Sequence, residues 1–396
     1  MPVLPVLPLA SPLRGHQASF FEEVQAGFLR ASGVELLPKT PEEVGREPLP
    51  ALLFLTGGTE HKALSFAASV PRKPLLLLAH SAHNSLAAAL EALAALREEG
   101  RKAWLIPQSL AAELPLYAQV ADLARKLLGK RLGLVGNPSP WLVASSPDPA
   151  ALREKLGLEL VVIPVERVLE KRAWVQPKTA VEGRAQGMGE AERVMAASVY
   201  EALRAIVAEE ELFAFTIACF EFLPYGCTAC WALARLSDEG IPAGCEGDVP
   251  ALVALVLGQL LGGRPGFLAN PVEVDLKRER LLLAHCTVPF SLTEDFLLRT
   301  HFESGMGLAV GGQVRPGPYT LVRFGGKRLE KGFFVEGTVL GESPGREDLC
   351  RTQAWFKMPK GALAKLLREP LGNHHVLIPG HHRRVLSLFH AAFLAD

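Results

Sequence analysis

Short apolar runs alternating with helix-length stretches dominate the first half of this 396-residue chain, and they leave few folds open. Residues 50–55, 74–79 and 102–106 are apolar runs too short for helices; the first two close on turn-like clusters, Thr56-Gly57-Gly58-Thr59-Glu60 and His80-Ser81-Ala82-His83-Asn84-Ser85. Between and after them, residues 86–99 and 110–128 are long enough for helices, and Gly100 ends the first. A strand–helix–strand order of this kind forms a parallel sheet with helices on its faces, because parallel neighbours require a crossover. Ligand-contacting residues in such sheets gather beyond the carboxyl ends of the strands. Neither GxGxxG nor GxxxxGK[ST] is present, so a flavodoxin-like nucleotide binder ranks last among the readings.

The alternation continues through strand-like runs at 131–136 and 159–164, a long helix over 189–210, a strand over 212–220 and a short helix over 231–236. An apolar helix over 249–261 has Pro250 in its first turn, where proline is tolerated, and stops at Gly262-Gly263. After residue 265 the texture changes. Runs at 266–269, 281–288, 319–324 and 333–339 are divided by Gly/Pro turns, then come a helix over 360–368, a strand opening at His374 and a last helix over 383–394. The expected fold is α/β: two Rossmann-like parallel-sheet domains, 1–129 and 130–264, followed by a C-terminal antiparallel β-barrel-like domain, 265–396.

Charge narrows the function. Forty-two basic residues balance 42 acidic ones, which argues against nucleic acid as a partner. No apolar stretch reaches the ~20 residues of a bilayer span, so no membrane partner is expected. Residues 1–9 are apolar but studded with proline and lack a basic leader region, which reads as an edge strand rather than a signal peptide. Six cysteines lie scattered without a framework, as in a reduced cytoplasmic protein. Cys227 and Cys230 have zinc-knuckle spacing but no second pair, and read as small buried residues.

Three segments offer ligands. Cys245-Glu246-Gly247-Asp248 precedes the apolar helix, Ala284-His285-Cys286-Thr287 lies on a strand, and Gly372-Asn373-His374-His375 opens another. Strand side chains alternate, so only one of His374 and His375 can face a shared site. Together the segments supply a carboxylate and two imidazoles, a set suited to a divalent cation. Asp248 sits where a helix N-cap is expected.

These segments, with the run 236–248 and Phe267-Leu268-Ala269-Asn270-Pro271, resemble the L-fucose isomerase and L-arabinose isomerase superfamily, in its shorter fucose isomerase-like members, over roughly residues 130 to 396. The resemblance implies a metal-dependent aldose–ketose isomerase using manganese (Mn2+) or another divalent cation, with Glu246, His285 and His374 or His375 as ligands. It implies proton transfer between C1 and C2 through an enediol, with Glu246 as the proton carrier and Asp248 as a further catalytic candidate. A small sugar is then the partner, contacted by Asn270, His83, Asn84, Trp231 and Glu303. A homo-oligomer, trimer or hexamer, follows by analogy. At one position the pattern departs: Asn270 stands where the superfamily places a second metal-binding carboxylate. An amide oxygen can bind a hard cation but cannot act as a base. The alternative is therefore a sugar-binding or regulatory relative that has lost the chemistry.

Overall fold

The computed structural model describes residues 1–12 and 18–396, and the chain divides into two compact units. The first comprises Met1–Lys126 with Ala391–Phe393. Its strands β1 (Val3–Leu9), β2 (Glu35–Pro38), β3 (Ala51–Phe54), β4 (Leu75–Ala79) and β5 (Ala103–Pro107) form one parallel sheet in the order β2-β1-β3-β4-β5. The crossovers are α1 (Ala18–Ser32), α2 (Pro41–Arg46), α3 (Glu60–Ser69) and α4 (Ser85–Glu98), with α5 (Leu114–Leu127) following β5. β3 and β4 are buried along their whole length, as strands covered on both faces should be.

The N-terminal run is not an edge strand: β1 pairs with both β2 and β3. Its prolines are tolerated because of where pairing stops. The Val6 carbonyl accepts from Lys39 on the β2 side and that of Leu9 accepts from Leu55 on the β3 side, so even residues face β2 and odd ones β3. Pro8 then faces β2 beyond the last pair, Val6 with Pro38, and Pro5 faces β3 before the first, Val6 with Ala51. Neither position has a ladder partner to lose.

The second unit comprises Leu127–His390 and Leu394–Asp396. It begins with a parallel sheet of β6 (Arg131–Val135), β7 (Glu159–Ile163), β8 (Leu212–Ile217) and β9 (Ala243–Cys245), ordered β7-β6-β8-β9. Its helices are α6 (Pro149–Leu156), α7 (Val165–Trp174), α8 (Glu190–Glu209), α9 (Cys230–Asp238) and α10 (Val249–Gly262). The strand expected to run to residue 220 stops at Ile217 and turns helical from Cys219.

Beyond α10, eight strands follow: β10 (Phe267–Asp275), β11 (Arg280–His285), β12 (Thr293–Arg299), β13 (Ala309–Val314), β14 (Gly317–Gly325), β15 (Lys331–Val339), β16 (Thr352–Lys357) and β17 (His375–Pro379). Six close into an antiparallel barrel, β10-β11-β16-β15-β14-β17, while β12 and β13 pair as a separate ribbon. Two short helices, α11 (Ala362–Arg368) and α12 (Arg383–Phe389), lie toward the C-terminus. The α/β fold ending in an antiparallel barrel thus matches expectation, with closure and three further strands added.

Helix α10 holds the site in place. It is apolar all round and buried from Val249 to Gly258, as a helix enclosed on every side must be. It packs against β8 and β9 of the parallel sheet and against β14 and β17 of the barrel. Its N-terminus therefore lies where both layers can reach it.

Candidate metal centre

Glu246 follows β9 in a left-handed conformation, φ +60°, and Gly247 continues it at φ +72°. Such a conformation costs a non-glycine residue about 1–3 kcal/mol and persists only where the surroundings enforce it. Here the Ser139 amide donates to the Glu246 carbonyl at 2.9 Å. A Cβ on Gly247 would lie 2.7 Å from the Pro138 Cα, so the following position has no room for a side chain. This tight turn carries Glu246 and then starts α10 at Asp248.

His285 ends β11, and His374 immediately precedes β17. One ligand atom each from Glu246, His285 and His374 lie within 4.8 Å of one another, and all three residues are buried. His374 Nε2 stands 3.6 Å from Glu246 Oε1, outside hydrogen-bond range, and has no hydrogen-bond partner; nor has His285 Nδ1. Each orphaned buried nitrogen costs about 1–3 kcal/mol. A cation bound between them would satisfy such atoms, and the donor set suits one.

Behind the cluster lies a buried ion pair. Asp248 is wholly buried, and its Oδ1 accepts from the Ala251 amide at 2.9 Å, capping α10. Arg323, also wholly buried, donates through Nη1 to both Asp248 oxygens at 2.9 and 2.8 Å and through Nη2 to Ser145 Oγ at 2.6 Å. Asp248 Oδ2 in turn lies 3.0 Å from His374 Nδ1. A carboxylate at Nδ1 keeps the proton there and turns Nε2 toward the ligand position. Asp248, a catalytic candidate from the sequence, is thus sealed behind His374, at the N-cap position the sequence also expected. It caps a helix and orients an imidazole.

The charges follow from this packing. Burial works against ionised Glu246, but the nearby His374 and the hydrogen bond from the Trp141 N–H hold its carboxyl below the usual range. Burial also works against ionised Asp248, and Arg323 overrides it. Burial and the neighbouring His374 push His285 down to about 3, leaving it neutral and ready to ligate. Burial would lower His374 too, yet Asp248 and Glu246 lift it to about 9. Before an ion binds, His374 is therefore protonated at neutral pH. Ligation must displace that proton, so ion uptake at pH 7 should release about one proton, with apparent affinity rising with pH until about 9. Calorimetry in two buffers of different ionisation enthalpy reads this directly.

The remaining candidates separate. His375 points away from the cluster: its Nδ1 lies 3.1 Å from the Asn373 carbonyl and its ring packs edge-on against Phe333. Asn270 is half-buried on β10, paired with Ala284, and its Oδ1 is buried without a partner. The β10–β17 register pairs Ala269 with His375, and one further step sets Asn270 opposite His374. Trp231 is a core aromatic, edge-on to Tyr200 and beside Phe290, rather than an open platform for a sugar. Glu303 is exposed in the turn after β12, where partial burial and the charge of Glu246 raise its carboxyl. His83 and Asn84 belong to the first unit, both with positive φ, at the carboxyl end of β4. Asn84 makes no side-chain cap to α4, and the Ser85 hydroxyl joins the His80 amide to the Phe54 carbonyl instead.

Three residues joined to the cluster were not singled out from sequence: Trp141, Ser145 and Arg323. Only Arg323 carried a signal, as a lone cation inside the apolar strand run 319–324.

A parallel α/β layer and a closed barrel that together present one buried carboxylate and two imidazoles define a class of protein able to hold a divalent cation. No protein-family profile matches the chain. Among curated proteins it is similar to the sulfoquinovose isomerase of Alkalicoccus urumqiensis, 24% identical over 281 residues, 66% of this chain and 62% of that one. It is also similar to those of Priestia aryabhattai, 22% over 208 residues (49% and 47%), and Clostridium sp. (strain MSTE9), 24% over 220 residues (51% and 49%). The aligned part spans less than two thirds of the length of each relative. No helix among the described residues is long and apolar enough to cross a membrane.

Proposed function

We propose that this protein is a divalent-metal-dependent aldose–ketose isomerase acting on a small sugar. The observation that carries the reading is the buried trio of Glu246, His285 and His374, with two ring nitrogens lacking any partner. The relatives named sulfoquinovose isomerase support sugar isomerisation as the reaction class. Glu246, His285 and His374 would hold the ion, with Asn270 as a neutral oxygen donor beside them. When bound, the ion supplies Lewis-acid polarisation of the sugar carbonyl.

The chain's own residues do the rest. Glu246, kept ionised, takes the C2 proton of the aldose, and the C–H electron pair becomes the C1–C2 double bond of an enediolate. Returning that proton to C1, while the O2 proton passes to O1, leaves the ketose. Asp248 and Arg323 keep His374 in a single orientation throughout. A homo-oligomer belongs to the same reading, by the resemblance to fucose and arabinose isomerases.

The second reading, a sugar-binding protein without turnover, is favoured by one observation: an amide, Asn270, stands where a second carboxylate would share the proton work. The Mn2+-supplemented protein should be incubated in D2O with a panel of pentoses, deoxyhexoses and sulfoquinovose. Ketose formation is expected for at least one sugar, with solvent deuterium entering at C1 only to the extent that the proton held on Glu246 exchanges before its return. A folded, Mn2+-loaded protein that converts none of them would leave the sugar-binding reading.

A further inference from the structure

Every side chain that ties the cluster together is buried except one. His285, His374, Asp248, Arg323 and Ser145 are all closed off, whereas Trp141 is 49% exposed. Its Nε1–H donates to Glu246 Oε2 at 2.6 Å. Its ring packs edge-on against Phe220, 4.9 Å between centroids, and Phe220 packs edge-on against His301 at 5.7 Å. The result is a row of aromatic rings in which Trp141 itself both meets solvent and holds the carboxylate. A half-exposed tryptophan bonded at a functional carboxylate is unusual, since indole rings are ordinarily buried in the core or at interfaces.

We infer that Trp141 is a substrate-contacting residue of this site, packing against the C–H face of the sugar while its N–H fixes Glu246 so that Oε1 is left for the cation. The inference rests on the isomerase reading and adds to it the residue that couples sugar binding to the ligand carboxylate. A sugar ring or chain carries apolar C–H groups on one face, and an indole matches that face with little conformational entropy to lose. Engaging the indole from outside also covers Glu246 Oε2 and shields the cluster from water. A single N–H donor to one oxygen keeps the carboxylate from turning, the role outer partners commonly play around a ligand.

Two variants separate the roles. Trp141→Phe keeps a ring and loses the N–H, and Trp141→Ala loses both. Mn2+ affinity would be read by electron paramagnetic resonance, sugar affinity by calorimetry on the Mn2+-loaded protein, and quenching by Mn2+ from tryptophan fluorescence, the other four tryptophans being retained. Trp141→Phe should weaken Mn2+ binding about tenfold and abolish the largest part of the quenching, with sugar affinity held within about threefold. Trp141→Ala should lose about tenfold in sugar affinity as well, the scale of one stacking contact. If both variants bind Mn2+ and sugar as the wild type does, Trp141 is a bystander and the inference falls while the isomerase reading stands. A wild type that binds no Mn2+ overturns both.

Discussion

Glu246→Gln is expected to abolish function while leaving the fold intact. Glutamine matches the shape and still offers Trp141 an acceptor oxygen, so the tight turn at 246–247 and the cap at Asp248 are retained. What goes is the single carboxylate of the trio. Losing an outer-shell partner typically costs ten- to a hundredfold in metal affinity, so loss of the ligand itself should exceed about 100-fold. On the proposed isomerase reading the variant also lacks its proton carrier, which alone is worth about 10²–10⁴-fold in rate. Metal analysis after dialysis, the initial rate on the preferred sugar and a circular dichroism spectrum check the three parts together. A variant that keeps its ion would move the ligand role away from Glu246.

The second large effect is on stability. Arg323→Met should destabilise the protein by about 3–5 kcal/mol, the range for removing one partner of a buried ion pair. Both side chains are wholly inaccessible, so Asp248 would be left ionised against apolar neighbours with only His374 and the helix N-terminus to answer it. Gly372 shows how closely the guanidinium is held: a Cβ there would come within 2.3 Å of Arg323 Nη2. Urea denaturation measures the loss. Because Asp248 is held below its ordinary range, the pair's contribution is present at neutral pH and disappears as pH falls through its folded value. The variant should therefore show a flatter acid limb than the wild type. Adding Asp248→Asn to it should return part of the lost stability, since the stranded charge is gone.

How far the sequence could be read depended on whether a residue's role was local. Buried parallel strands announce themselves as short apolar runs, and β3, β4 and β5 fell where such runs lie. β12, with Glu294 and Asp295 in it, and β16, with Thr352, Gln353 and Lys357, are broken by polar residues and were not read as strands. β12 pairs with the next strand, β13, which was not read as a strand either, and β16 pairs with β11, remote in sequence. The prolines of β1 suggested an edge because the chain alone does not reveal where its neighbours stop pairing. Glu246, His285 and His374 were legible because each sits in a short polar interruption at a strand end. The alternation that allowed only one of two adjacent histidines left open which, and the register of β17 assigns His375 to the other side. Trp141 was invisible because its meaning lies in a contact 105 residues away. Asp248 was half legible: its place before α10 announced the cap, while Arg323 behind it lies too far along the chain to be read as its partner.

The central claim is that a divalent cation binds at Glu246, His285 and His374. Anomalous diffraction at the manganese edge, from crystals grown with millimolar Mn2+, tests it most directly. One peak is expected, about 2.0–2.4 Å from a Glu246 oxygen and from a ring nitrogen of each histidine. A well-ordered crystal with no peak at these three residues, or with the ion held elsewhere, would contradict it.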